Sequence, residues 1–245
     1  MIFYNKTGVY VIMSVFRKEG FSMTNYLYNA HHHLKTINQH RWLVLQHCVK
    51  AGIPLQGLKH DLSKYAPVEF WNGVKYYQGG HRSPNVGERK DKGYSDAWLH
   101  HRGRNRHHFE YWFDNSLNAF ELVPVEMPLK YVIEMFCDRV AASKVYQGDQ
   151  YTDQVPLKYF GLFDYSKLMH PNTQAILKKL LVMLAEDGED AAFAFIRKAH
   201  KHPEKYLADC KVIDSPVSPV QMDEEAMKQF QERLKDSGVD PRKVP

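Results

Sequence analysis

Apolar residues recur at helical spacing along most of the chain, and the interruptions fall at glycine and proline. A long amphipathic helix is predicted over residues 24–51, where Gly52 and Pro54 end it. The clearest pattern covers residues 128–146, with Pro128 in the first turn. Further helices are predicted over residues 54–64, 67–77, 95–101, from 105 past 112, 172–187, 190–201 and 223–236. Strand patterns are few, so the sequence predicts an all-α helical bundle.

The pattern also predicts how the chain is divided. Residues 1–22 are expected to be an N-terminal appendage, and residues 23–165 a helical domain that carries the chemistry. Residues 166–245 are expected to form a C-terminal helical extension and tail. Within the helical domain, residues 79–93 are polar and are predicted to form a long surface loop of the kind that often acts as a lid.

Composition narrows the class of protein. The net charge of +5 with neutral histidines suits anionic ligands, but it is too small to indicate nucleic acid by itself. Three widely spaced cysteines indicate neither a zinc finger nor a disulfide framework, and they favour a reducing, cytoplasmic location. No segment has the length and apolarity of a membrane span.

The candidate chemistry centres on the adjacent residues His60 and Asp61. His40 precedes them and Asp138 follows, so the four residues come from three predicted helices. Imidazole and carboxylate ligands suit a divalent transition metal such as Mn, Fe, Co or Zn. Asp138 lies in an apolar stripe, where a lone carboxylate is costly and a bound cation would offset that cost. A buried ion pair of Asp138 with a nearby arginine or lysine is the alternative.

The order of these residues resembles the HD-domain superfamily of metal-dependent phosphohydrolases, over roughly residues 30–146. Lys64, one turn after the doublet, is similar to a lysine that this superfamily places there. The stretch from Trp98 to His108, WLHHRGRNRHH, resembles an uncharacterised bacterial and phage family with an HD-like pattern.

The resemblance implies a ligand set and a fold, an HD-like bundle with added C-terminal helices. His40, His60, Asp61 and Asp138 would hold a first divalent ion (Mn, Co, Mg, Fe or Zn), and Asp61 would bridge to a second ion if there are two. One ion is expected and two are possible. The second ion would take two further histidines; we favour His101 and His107 among the candidates His81, His100, His101, His107 and His108.

A hydrolase role follows for the remaining residues. Asp61 and Lys64 are expected to be catalytic, because a lysine on the same helical face can contact a phosphate or hold the attacking water. Arginine matches phosphate oxygens well, so the substrate is expected to contact a group near the histidine cluster. That group is Arg102, Arg104, Arg106 and His108. His47 is expected to be a packed core residue, and Tyr76 or Tyr77 to wall the pocket.

The sequence therefore favours hydrolysis of a phosphate ester or nucleotide through a metal-activated water. Two alternatives stay open. One is an HD-fold di-iron oxygenase, which requires the second pair of histidines. The other is a non-catalytic nucleotide- or RNA-binding module with a structural metal, in which the arginine run from Arg102 to Arg106 is the working surface. Association into a homo-oligomer is possible in each case.

Overall fold

The fold is all-α, as the sequence predicts. The computed structural model describes residues 23–80, 82–116 and 122–217, together with Lys228 and Glu232. Within this part of the chain the elements are α1 (Met23–Ala51), α2 (Pro54–Lys59), α3 (Pro67–Lys75), α4 (Pro84–Lys92), α5 (Asp96–Arg102), β1 (Phe113–Asn115), β2 (Leu122–Pro124), α6 (Leu129–Gln147), α7 (Val155–Phe160), α8 (Pro171–Asp187), α9 (Glu189–Lys201) and α10 (Pro203–Tyr206). β1 and β2 pair in an antiparallel hairpin, with Phe113 opposite Pro124.

The two long helices α1 and α6 form the centre of the fold. Val44 and Cys48 of α1 and Phe136 of α6 are fully buried in one hydrophobic cluster. Leu177 of α8 and Phe193 of α9 belong to the same cluster. The hydrophobic core therefore continues across residue 165, where the C-terminal extension is predicted to begin.

The crossing of α1 by α2 depends on a glycine. A Cβ added at Gly57 would lie 2.7 Å from the Cβ atom of Cys48 and 3.0 Å from the Cα atom of Leu45, so only a residue without a side chain allows this approach. The helix predicted over residues 54–64 is wrong in its second half. α2 ends at Lys59, and a 3₁₀ turn, Leu62–Tyr65, follows a sharp bend at His60 and Asp61.

Two other predicted segments differ from the structure. The helix predicted from residue 105 past 112 is absent, because the side chain of Asn105 donates hydrogen bonds to His101 O and Ser63 Oγ and turns the chain. A short 3₁₀ turn and strand β1 follow instead. The predicted loop over residues 79–93 contains α4, which begins at Pro84 and ends at Gly93 in the left-handed conformation.

The predicted helices over residues 24–51, 128–146, 172–187 and 190–201 are confirmed within one or two residues at each end. The appendage over residues 1–22, the candidate ligand His81 and, except for Lys228 and Glu232, the helix predicted over 223–236 lie outside the described residues. In the part of the chain that is described, no helix is long and apolar enough to cross a membrane. The three cysteines are free and buried.

Candidate metal centre

Three separate elements bring His40, His60, Asp61 and Asp138 together. His40 lies on α1, Asp138 lies on α6, and the doublet lies at the bend after α2. The Nε2 atom of His40 is 3.0 Å from Asp138 Oδ1 and 3.7 Å from Asp61 Oδ2. The Nε2 atom of His60 is 3.3 Å from Asp61 Oδ2 and 3.5 Å from Asp138 Oδ1. Four potential ligand atoms therefore converge on one point.

Asp61 has the most unusual environment in this group. Its backbone adopts φ 54° and ψ 28°, and it is the one non-glycine residue with positive φ among those described. Its side chain is about 1% exposed, yet neither carboxylate oxygen accepts a hydrogen bond. Lys64 Nζ forms an ion pair with Oδ2 at 2.9 Å. A strained backbone that places two unsatisfied oxygens in the interior indicates a functional position.

A second group of ligand atoms faces the other oxygen of Asp61. His101 Nε2 lies 3.3 Å from Asp61 Oδ1, and His107 Nε2 lies 3.5 Å from the same atom. His108 completes the group, with every ligand atom within 4.8 Å of the others. The Nε2 atoms of His107 and His108 are buried without a hydrogen-bond partner. The Asp61 carboxylate thus lies between two clusters, one on each oxygen.

Two glutamates hold the opposite edges of these histidine rings. Glu134 Oε1 is 3.0 Å from His60 Nδ1 and 3.2 Å from His107 Nδ1. Glu69 Oε2 is 2.8 Å from His101 Nδ1. A carboxylate facing each Nδ1 atom favours the tautomer that keeps the proton on Nδ1, and the Nε2 lone pair is then directed at the cluster, as in metal-ligating histidines. Glu134, His60 and His107 also lie close enough to form a ligand group, but these hydrogen bonds assign Glu134 an orienting role.

The spacing of the atoms fits a bound cation. Ligand atoms about 2.0–2.2 Å from one ion lie roughly 3.0–3.5 Å from each other, and most of the separations above fall in this range. Without a metal ion, protons on these rings would have to take its place between the Nε2 atoms and the carboxylate oxygens. The buried histidines, aspartates and glutamates could therefore hold a metal ion, and two groups are present for it.

The electrostatics of the site favour positive charge. Burial alone would raise the pKa of Asp61, but His60 and Lys64 hold it well below its usual value. Burial alone would lower the pKa of His60, but Asp61, Asp138 and Glu134 raise it well above its usual value. Burial and the neighbouring histidines lower the pKa of His108 well below its usual value, so this ring is neutral and competent as a ligand.

A cavity of about 210 Å³ opens onto the cluster. Lys64 lines this cavity. Burial alone would lower the pKa of Lys64, but the Asp61 carboxylate raises it above its usual value, so the side chain is cationic. Arg82, His33, Tyr77, Trp98 and Tyr146 also contribute to the walls. The cavity thus has two cationic and several aromatic side chains on its walls, and its floor is formed by groups that could hold a metal ion.

Arg102, Arg104 and Arg106, which the sequence predicts to contact the substrate, do not line this cavity. The chain turns after α5, so Arg104 donates to His100 O and Arg106 lies over the ring of Tyr111. His108, predicted to contact the substrate, lies within the second ligand group as well as on the cavity wall.

The other sequence candidates also have clear positions. His100 Nδ1 contacts Glu69 Oε1 at 2.5 Å and belongs to neither ligand group. His47 is buried and stacks on Phe193, as predicted for a core residue. Asp138 contacts histidines and forms no ion pair with the neighbouring arginine or lysine among the described residues. Tyr77 lines the cavity, whereas Tyr76 donates to Asp91.

Sequence reasoning missed Glu69, Glu134 and Arg82. Glu134 lies four residues before Asp138, so both occupy one face of α6, and this spacing could have identified it. Glu69 had no comparable signal, because a glutamate in the first turn of a helix usually caps the helix dipole at the surface.

One known protein family matches the part of the chain that contains the candidate metal centre. Residues 29–183 match a family described as a family of unknown function, DUF5662. The chain belongs to this family. The matched range includes every residue of both ligand groups. Neither the curated proteins nor the solved structures gave a match.

Proposed function

We propose that this protein is a metal-dependent phosphohydrolase of the HD type, acting on a phosphate ester or nucleotide. The observation that carries the proposal is the Asp61 carboxylate, which is buried, accepts no hydrogen bond and has a histidine cluster on each oxygen. A carboxylate in this position matches the bridging ligand of a two-metal site. A divalent ion held by His40, His60, Asp61 and Asp138 would act as a Lewis acid and would lower the pKa of a bound water molecule.

The charges around the cavity support an anionic substrate. Four carboxylates surround the cluster, from Asp61, Glu69, Glu134 and Asp138. Two divalent ions would neutralise them, and Lys64 and Arg82 on the cavity wall would then leave a positive surplus. A phosphate group suits this surplus, because its oxygens accept charge-assisted hydrogen bonds from both side chains.

The roles of the protein's own residues follow from their positions. Lys64 stays protonated beside Asp61, so it binds a phosphate oxygen or orients water and does not act as a base. Glu134 and Glu69 orient the histidine rings. The cavity of about 210 Å³ accommodates a small phosphorylated molecule better than a folded nucleic acid.

Elemental analysis of untagged protein, combined with a phosphatase screen, tests the proposal. The screen uses p-nitrophenyl phosphate, bis-p-nitrophenyl phosphate and nucleotides with added Mn, Co or Mg. We expect bound divalent metal and metal-dependent turnover, both lost in Asp61→Ala. Asp149→Ala is the control, because Asp149 is exposed and outside the cluster. Full turnover by metal-stripped protein or by Asp61→Ala would refute the proposal.

The complete second ligand group also favours a di-iron oxygenase as the second candidate, because such an enzyme requires both histidine sets. The same ligands serve both chemistries, so the metal distinguishes them. Iron as the native metal, an iron charge-transfer absorption band and oxygen uptake would select the oxygenase. Restoration of phosphatase turnover by Mn or Co, without oxygen uptake, would select the hydrolase.

A further inference from the structure

Five large apolar side chains on α1, α2 and the turn after α2 are exposed to solvent. We call this surface the α1–α2 face; it comprises Trp42, Val49, Leu55, Leu58 and Leu62. Their exposed fractions are 60%, 57%, 67%, 60% and 53%. Core residues of these helices, by contrast, are almost completely buried. The face is therefore an apolar patch at the upper end of the roughly 300–600 Å² that single-chain proteins expose, a size that often marks a binding surface.

The contacts between α1 and α2 indicate that these side chains are neighbours. Gly57 of α2 approaches Leu45 and Cys48 of α1, so α2 crosses α1 between the positions of Trp42 and Val49. Trp42, Leu45 and Val49 share one stripe of α1, being three, four and seven residues apart.

The outer side of α2 continues the same face. Leu55 and Leu58 are three residues apart on α2 and are exposed together. Arg41, beside Trp42, donates hydrogen bonds to Leu58 O and His60 O and ties this part of the chain to α1. The apolar side chains on the two helices thus form one surface.

The area of the face is close to that needed for stable association. At roughly 200 Å² for a large, fully exposed apolar side chain, the five fractions amount to about 600 Å². A stable interface takes about 800 Å² from each partner, and the exposed Gln46 and Lys59 at the margin supply further area. An apolar centre with a polar margin is the usual composition of such an interface.

We infer that a second copy of this chain covers the α1–α2 face in a two-fold symmetric dimer. An apolar surface is complementary to itself, and a closed two-fold pairing is the commonest association of soluble proteins. None of the five side chains lines the cavity, so this inference is independent of the proposed function.

Sedimentation velocity of the full chain tests the inference, at protein concentrations up to about 100 µM, above the micromolar Kd values of weak interfaces of this size. We expect a dimer. Leu55→Lys would place a lysine from each copy near the centre, and we expect its dimer Kd to rise at least about tenfold. Leu162→Lys is the matched control, because Leu162 is 74% exposed and lies outside the face.

Circular dichroism checks that each variant is folded, and Val49→Lys replaces Leu55→Lys if that protein does not fold. A monomeric wild-type chain at the highest concentration would overturn the inference, as would a dimer that both face variants leave intact. A monomeric full chain that dimerises only after removal of residues 1–22 would also overturn it, because that segment would then be the occupant of the face.

Discussion

Glu134 is a test of whether the histidine array is built for a metal. Its Oε1 atom faces the Nδ1 atoms of two ligand rings, one in each group: it is hydrogen-bonded to His60 of the first at 3.0 Å and contacts His107 of the second at 3.2 Å. Glu134→Gln keeps an oxygen at this position and removes the charge. Glu134→Ala removes both and leaves two buried Nδ1–H groups without an acceptor. The pair of variants separates the contribution of charge from that of orientation.

The expected loss of metal affinity in the Glu134 variants follows from these contacts. Loss of an orienting partner of a metal-ligating histidine weakens metal affinity by about 10–100-fold, or roughly 1.4–2.7 kcal/mol. We expect Glu134→Gln near the lower value, because the hydrogen bonds persist without the charge. We expect Glu134→Ala at or above the upper value, because both ligand groups lose an orienting contact in one substitution.

Competition with a chromophoric chelator for Mn, Co or Zn measures the affinities. Glu126→Gln is a matched control, since Glu126 also accepts a side-chain hydrogen bond, from Asn172, but lies outside both ligand groups. Circular dichroism establishes that each variant is folded. If Glu134→Ala binds metal as tightly as wild type, His60 and His107 are not ligands and the assignment of both groups is wrong.

Three further outcomes are expected elsewhere in the molecule. Lys64→Met should reduce kcat/KM about 100-fold on whichever phosphate ester is turned over, with metal content unchanged, because Lys64 lines the cavity. Arg104→Ala should change kcat/KM less than about twofold, because Arg104 does not line it. Equal losses in the two variants would contradict this difference. Burial, and after it the neighbouring Lys144, lowers the pKa of His47 to about 4. As the pH falls below 6.5 the unfolded chain therefore binds a proton that the folded chain does not, and the free energy of unfolding should fall by up to about 3 kcal/mol between pH 6.5 and 4. Urea unfolding of His47→Gln should lack this part of the decline. Gly57→Ala should lower the free energy of unfolding by about 1–3 kcal/mol, because the new Cβ atom would clash with Cys48 where α2 crosses α1. An unchanged urea midpoint would show that α2 can move away from α1 at no cost and would contradict this prediction.

The long helices could be predicted because local sequence determines them. α1, α6, α8 and α9 each have an apolar stripe of helical period; the first three end next to a glycine, and α9 ends two residues before Pro203. The residue types of the first ligand group could also be identified, since a carboxylate in an apolar stripe requires a charge partner. Asp138 meets that expectation with His40 and His60 rather than with an arginine or lysine.

The bend at Asp61 could not be predicted in the same way. An aspartate in the left-handed conformation is held there by its surroundings, among them the hydrogen bond from Arg41 to His60 O, and no local pattern encodes that contact. The side-chain directions of Arg104 and Arg106 likewise depend on a turn that no local pattern predicts. Arg104 and Arg106 are adjacent to the histidines in sequence, but the turn held by Asn105 directs them away from the cavity.

The arrangement around Asp61 links the stability of the fold to its ligand. The bend costs backbone strain of about 1–3 kcal/mol, and burial of the Asp61 carboxylate adds a desolvation cost that Lys64 and the facing histidines offset. A sequence selected for stability alone would replace this residue with one that avoids both costs. A cation bound to the folded chain and not to the unfolded one offsets them by mass action, by about 2.7 kcal/mol at a ligand concentration 100 times the Kd. The destabilising geometry is therefore best explained by a binding role, because the same strain that weakens the metal-free protein preorganises both oxygens of Asp61 toward the histidine groups.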